Sequence, residues 1–271
     1  MNGRFTGIGV RPMKIAVAGG TGKTGRLVGD RLTRDGHQPV VLARAEGVDL
    51  VQGHGLDEAL RGVDVIVDVS DIRTTSAKKS THFFGTATVN LLKSAVRNNV
   101  KHHIALSIVG IDRVRSAYYM GKLTQEREVM AGPVPWTILR ATQFHEFAQQ
   151  ILGQVPGPIA LVPQMQSQPI AMREVADHLC ELAVGSPQQL APELAGPKVE
   201  SMVDMTRRLI ARRGQRRPVI RCGYPAMASG QWPMGRCCRR HRDRAALRRT
   251  SNGSPASAAN PLRREDNRCQ G

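Results

Sequence analysis

An α/β fold on a doubly wound parallel sheet, with a small carboxyl-terminal region and an irregular tail, is predicted by three features of this 271-residue sequence. Short apolar runs alternate with longer amphipathic ones from Met13 onward, the pattern of parallel strands joined by crossover helices. The first of those runs, residues 14–18, feeds directly into Gly19-Gly20-Thr21-Gly22-Lys23-Thr24-Gly25. The alternation loosens after Arg140, and neither helical nor strand periodicity survives beyond Arg221.

Taken in order, strands are expected at 14–18, 38–43, 64–69, 103–108 and 136–141. Helices are expected between them at 23–35, 56–61, 80–98 and 116–131, the last stopped by Gly132-Pro133-Val134-Pro135. Right-handed crossovers then follow for a parallel sheet. Past the fifth strand the sequence predicts a helix near 144–152, a turn at 156–158 and short strands near 159–162 and 168–170. Helices near 173–184 and 200–213 complete the substrate side. The division is an extension at 1–12, a nucleotide-binding domain at 13–220 and a basic tail at 221–271.

The glycine turn carries the strongest chemical signal. Its Gly-x-x-Gly-x-x-Gly spacing lets the chain reverse at Gly19 and lets backbone N–H groups approach a diphosphate at Gly22. Gly25 lets the first helix pack on its strand, as in a Rossmann-type dinucleotide fold. Gly22-Lys23-Thr24 imitates the end of a phosphate-binding loop, but Val17 stands where that motif needs glycine, so the motif fails. At the tip of the second strand an acidic residue would bond a ribose 2′-hydroxyl, whereas arginine suits a 2′-phosphate. The residue is Arg44, with Lys23 as a second cation. NADP is therefore the expected cofactor and NAD the lesser alternative. Ser70 joins Gly19–Gly25 and Arg44 as an expected cofactor contact; Asp68, Asp71 and the 74–76 loop should border the same crevice.

Net charge is +17, but it is unevenly placed. Residues 1–206 hold 22 Lys and Arg against 19 Asp and Glu; residues 207–271 hold 17 against 3. Basicity belongs to the tail, so a nucleic-acid partner is not expected of the domain. From Arg221 on there are eleven arginines, no lysine, Trp232 and four cysteines (Cys222, Cys237, Cys238, Cys269). That composition reads as disordered, and as a segment not selected for a fold, such as an altered reading frame in GC-rich DNA would give. The tail cysteines and His241 lack zinc-site spacing, and no metal is expected. Cys180 reads as a small buried thiol. No apolar run reaches the roughly 18–20 residues that span a bilayer, and the first twelve residues lack a secretory signal core. A cytoplasmic protein follows, monomeric or homodimeric, acting on a small molecule.

Three residues fit a carbonyl reduction. Tyr118 and Lys122 lie four apart on one helical face, and Ser107 ends the fourth strand, where it faces the crevice. A phenol with pKa near ~10 is a weak acid at neutral pH unless a neighbouring ammonium favours its anion. Lys122 is expected to do that and to hold the nicotinamide ribose, while Ser107 orients the carbonyl oxygen. Tyr119 is the rival donor, with spacing three to Lys122. His102-His103 is expected as a surface pair; His145 and Glu146 are weaker substrate contacts.

The glycine turn, Ser107 and Tyr118-x-x-x-Lys122 together resemble the short-chain dehydrogenase/reductase superfamily. The chain is most similar to its atypical, NmrA-like branch. Trp136–Arg140 followed by Thr142-Gln143-Phe144 resembles that branch's fifth strand and pocket-lining turn, and Gln168–Ala176 its late strand-to-helix segment. The resemblance spans about residues 13–215. It implies reductase roles for Ser107, Tyr118 and Lys122 and a substrate pocket at Thr142, Gln143 and Phe144. Many members of the branch lack the tyrosine and sense redox state, so the implied alternative is a non-catalytic NADP-binding regulator. The Ser-to-Tyr interval of eleven is slightly short, and His54 stands where an adenine-side Asp is common.

Overall fold

The computed structural model describes residues 11–114, 116–154 and 157–223; the expectations for residues 1–10, the 156 end of the Pro/Gly turn and the tail from 224 lie outside the described residues. Six parallel strands form the central sheet: β1 (Lys14–Ala18), β2 (Gln38–Leu42), β3 (Val65–Asp68), β4 (His102–Ile108), β5 (Trp136–Ala141) and β8 (Gln189–Leu190), in the order β2-β1-β3-β4-β5-β8. The order reverses between β1 and β3, which pair in register from Ile15 with Val65 to Ala18 with Asp68. Ligands of open parallel sheets bind at such a switch point, beyond the carboxyl ends of the strands. Gly19 follows β1 there, and Val69-Ser70 follows β3.

Both faces of the sheet are covered. Ile15, Val17, Val65, Val67, Ile104 and Leu139 pack under α1 (Lys23–Arg34) and α6 (Met172–Ala183), through Val28, Leu32, Val175 and Leu179. Ala16, Ala18, Leu42 and Ile66 pack under α2 (Leu56–Ala59) and α3 (Ala77–Arg97), through Leu56, Ala87 and Leu91. Alternate residues of one strand therefore serve opposite cores, which explains its short, wholly apolar runs.

The remaining helix on this second face, α4 (Ala117–Ala131), buries Gly121, Lys122, Gln125, Glu126 and Val129. Its inward stripe is polar, so its packing depends on paired groups rather than on apolar area. A Cβ at Gly121 would lie 2.2 Å from Ser80 Oγ and 2.7 Å from Phe84 Cδ2. Glycine here lets α4 nest on α3, where Ser80 Oγ donates to the Tyr118 carbonyl at 3.1 Å. The capping serines Ser76, Ser116 and Ser201 start α3, α4 and α7 (Met202–Arg212) by accepting from the third residue on.

Beyond β5 a smaller cluster forms from α5 (Phe147–Gln154), β6 (Ala160–Pro163), α7 and β10 (Val219–Cys222), through Ala148, Ile151, Val162, Met202 and Ile210. β7 (Gln166–Ser167) pairs antiparallel with β9 (Glu200–Ser201). In place of the strand expected at 168–170 there is a single bridge between Phe144 and Ile170. β10 crosses the expected start of the tail at 221, pairing parallel with β6 from Val219 with Ala160 to Cys222 with Pro163. It is held by backbone bonds on a half-solvated pair whose Ile220 is exposed, so it carries no apolar alternation to read. The two-residue strands β7, β8 and β9 are equally unreadable.

Candidate functional site

Backbone bonds close the glycine turn, and Arg26 Nε adds one to the Thr21 carbonyl at 3.0 Å. Gly19 has φ +78° and its N–H donates to the Leu42 carbonyl at 3.2 Å, while Gly22 N–H donates to the Gly19 carbonyl at 2.9 Å. A Cβ on Gly19 would meet Ser70 Cα at 2.8 Å. Among the described residues no side chain caps α1, and no acidic residue occupies its first turn. The opening N–H groups and the positive end of the helix thus face outward, as an anion site requires. Lys23 is exposed beside them, and Arg44 is exposed on the short 3-10 turn after β2. Ser70 is buried against Gly19, its N–H donating to Asp68 Oδ1 at 2.9 Å and its Oγ without a partner among the described residues. An uncapped helix, a glycine turn and an orphaned buried hydroxyl fit a dinucleotide diphosphate.

The α4 pair lies at the same end of the sheet. Lys122 is 4 % exposed; its Nζ donates to the Leu106 carbonyl at 2.6 Å and to Gln125 Oε1, and sits 4.9 Å from the Phe84 ring centroid. Gln125 Nε2 donates in turn to Asp68 Oδ2 at 2.7 Å. Ser107 is buried at the end of β4, and its Oγ has no partner among the described residues. Burial lowers the Lys122 pKa from its ordinary value, opposed by the charges of Asp68, Asp71 and Glu126.

Tyr118 makes a bond that sequence reasoning missed. Its hydroxyl donates to Asp71 Oδ1 at 2.7 Å, and its ring packs edge-on to Phe84 at 5.7 Å. Burial, and then the neighbouring carboxylate, push its pKa well above the ordinary phenol value. The expected depression by Lys122 is therefore not what this structure has: the ammonium is turned to Leu106 and Gln125, and the nearest charge to the phenol is Asp71. The Tyr119 ring lies 6.4 Å from that of Tyr118. A further pair braces α4 to β5, where Arg140 donates to Glu126 through Nε at 3.0 Å and Nη2 at 2.7 Å. Gln125 and Glu126 gave no sequence signal beyond their place three and four residues after Lys122.

The turn after β5 is fastened rather than open. Thr142 Oγ1 donates to the Gln168 carbonyl at 2.5 Å, and Gln143 Oε1 accepts from Ser167 Oγ at 2.9 Å. Phe144 packs against the core under α6. The polar atoms of Thr142 and Gln143 thus hold segment 167–170 in place, and His145 is exposed beside them. His54 is exposed, its carbonyl accepting from Asp49 N–H at 3.0 Å.

The His102-His103 pair is buried in β4, correcting its expected surface position. β4 is a central strand with both faces covered, so neither side of it meets water. His102 Nε2 pairs with Thr137 Oγ1 at 2.8 Å, and burial pushes its pKa down to about 4. Burial also lowers His103. Among the described residues there is no group of three or more His, Cys, Asp or Glu that could hold a metal ion, and no helix long and apolar enough to cross a membrane.

Solved structures of known proteins share this fold. The solved UDP-glucose 4-epimerase of Thermus thermophilus, in complex with NAD, superposes with a TM-score of 0.62 at 17 % identity, covering 79 % of this chain and 88 % of its own. Pen from Bacillus thuringiensis superposes at 0.65 with 15 % identity, covering 80 % and 79 %. A dTDP-4-dehydrorhamnose reductase from Clostridium acetobutylicum superposes at 0.63 with 14 % identity, covering 78 % and 84 %. In sequence, the chain is 26 % identical over 162 residues to the photosystem II assembly factor Ycf39 of Synechocystis sp. That match covers 54 % of this chain and spans about half, 49 %, of the relative's length. Residues 19–183, from the first glycine of the turn to the last residue of α6, match the model of the NAD(P)H-binding family, and the chain belongs to that family.

Proposed function

We propose that the protein is an NADP(H)-dependent oxidoreductase of the short-chain dehydrogenase/reductase type that reduces a small carbonyl or quinone compound. The observation that carries this reading is the buried Ser107 hydroxyl, without a partner among the described residues, at the carboxyl end of β4, on the sheet face covered by the helix that bears Tyr118 and Lys122. A buried hydroxyl left without a partner is costly, and a substrate oxygen would satisfy it.

The first turn of α1 and the 19–25 loop would hold the diphosphate, Ser70 would bond it or its ribose, and Lys122 would hold the nicotinamide ribose. When bound, the nicotinamide supplies a hydride to the carbonyl carbon. Ser107 Oγ–H donates to the carbonyl oxygen and fixes its position. Tyr118 Oη–H turns from Asp71 and gives its proton to the oxygen as the carbon accepts the hydride, so that one hydride and one proton make the alcohol. Asp71, exposed to solvent, then returns a proton from water to the phenolate. A panel of quinones, aldehydes and ketones with NADPH tests the reading; absence of NADPH oxidation with all of them would remove it.

Arg44 and Lys23 support NADP over NAD. Charge-assisted bonds to a phosphate contribute about 1.5–3 kcal/mol, so Arg44→Ala should weaken NADPH binding by roughly 10-fold or more and leave NADH binding unchanged. Calorimetry with both nucleotides checks this, and equal affinity of the wild-type chain for the two would overturn it.

A second reading is favoured by the Tyr118–Asp71 bond, which makes the phenol a poorer acid. Together with the likeness to an assembly factor, it supports a nucleotide-binding regulator that signals through a partner protein. Nucleotide binding without turnover would select this reading.

A further inference from the structure

Asp68, the last residue of β3, is wholly buried, yet it is a carboxylate. Such a group needs partners. Its Oδ1 accepts from Ser70 N–H at 2.9 Å and its Oδ2 from Gln125 Nε2 at 2.7 Å. Gln125 is 1 % exposed and turns its other end, Oε1, to Lys122 Nζ. This carboxamide orientation satisfies an anion on one side and a cation on the other; the flipped orientation would set N–H against ammonium and oxygen against carboxylate. One continuous chain thus runs from the end of β3, through α4, to the amine at the end of β4.

We propose that Asp68, acting through the Gln125 carboxamide, is the positioning residue of Lys122: it fixes the ammonium at the carboxyl end of β4 and supplies its countercharge. The consequence for turnover rests on the oxidoreductase reading above, whereas the positioning itself does not. Lys122 has three N–H groups. Leu106 and Gln125 accept two, and the third has no acceptor among the described residues. With two directions fixed, the third is fixed as well, and it is the one left for a ribose hydroxyl. A lysine on its own four-carbon stem would sweep many positions; held this way it presents a single donor.

The other titratable groups around the amine divide by element. Asp71 follows β3, and Tyr118 and Glu126 share α4; His103 lies on β4 opposite Ile66, within reach of the Asp68 charge. Asp71 is committed to Tyr118 and Glu126 to Arg140. Of these groups, among the described residues, Asp68 alone is linked to Lys122 by hydrogen bonds, through Gln125.

The test follows Lys122 directly, by carbon NMR of nucleotide-free protein labelled at lysine Cε, its signal assigned by loss in Lys122→Met. Removing the countercharge lowers the pKa of an ammonium by about 1 unit or more. Asp68→Asn should move the Lys122 midpoint down by that amount, Gln125→Leu should move it down by removing the Oε1 acceptor while the Asp68 charge remains, and both should weaken NADPH binding. Variants that melt like wild type and leave the Lys122 midpoint in place would overturn the proposal. Where a variant does not fold, the wild-type chain decides. A glutamine side-chain amide signal moving in step with Lys122 supports it, and a Lys122 that titrates with the exposed lysines and alone overturns it. A chain that binds neither NADPH nor NADH would remove the oxidoreductase reading, and the nucleotide-free titration would still judge Asp68.

Discussion

Tyr118→Phe should abolish carbonyl reduction while leaving NADPH binding intact. A positioned general acid contributes about 10²–10⁴-fold, and the substitution removes one oxygen from a ring that otherwise keeps its packing on Phe84. Turnover with the responsive substrate should therefore fall by about that factor, with nucleotide affinity unchanged by calorimetry. Asp71→Asn gives the companion result. In this structure burial and the Asp71 charge both hold the phenol protonated. A donor is lost as pH rises through its own pKa, so lowering that pKa moves the loss to lower pH. Without the carboxylate the alkaline limb of the rate profile should shift to lower pH. Full turnover by Tyr118→Phe would end the donor assignment and leave the regulator reading in its place.

How far the sequence discloses this site depends on which physics made each part of it. The glycine turn is legible because Gly19 takes a positive φ and Gly25 packs on the turn's own backbone, both local demands that favour glycine. Ser107, Tyr118 and Lys122 are legible as positions, since a strand end and an i,i+4 spacing follow from periodicity. Their partners are not legible. Asp71 reaches Tyr118 across 47 positions and Asp68 reaches Gln125 across 57, and such distances leave no mark in a local pattern. Two carboxylates leave the end of β3 and address the two members of the α4 pair separately, one directly and one through an amide. That division explains why an electrostatic effect of Lys122 on Tyr118, reasonable from spacing alone, is not what the folded chain has.

The histidines of β4 mislead for a related reason. A polar pair preceding an apolar run reads as a surface edge, but a strand in the middle of a covered sheet buries both of its faces. Thr137 on the neighbouring strand supplies the hydroxyl that makes His102 tolerable there. The weak elements after β5 fail differently: β7, β8 and β9 are two residues long, too short for any alternation.

Gly25→Ala should damage both stability and nucleotide binding, whereas Gly29→Ala, one turn further along α1, should improve stability. At Gly25 a Cβ would stand 2.3 Å from the Gly19 carbonyl oxygen and 2.6 Å from Gly20 Cα. Both are backbone atoms of the turn, so no side chain can swing away; the turn must open or α1 must lift from β1. Overpacking of this kind costs about 1–3 kcal/mol, and either movement spreads the N–H groups that converge on a diphosphate. At Gly29 a Cβ would meet nothing within 4 Å, and alanine gains roughly 0.5–1 kcal/mol over glycine in a helix interior. With about 2–4 °C per kcal/mol for a domain of this size, the two melting temperatures should move in opposite directions. Calorimetric NADPH affinity should collapse only in Gly25→Ala. A Gly25→Ala protein that melts and binds like wild type would show that the turn yields more easily than its geometry allows, and the diphosphate would have to be placed elsewhere.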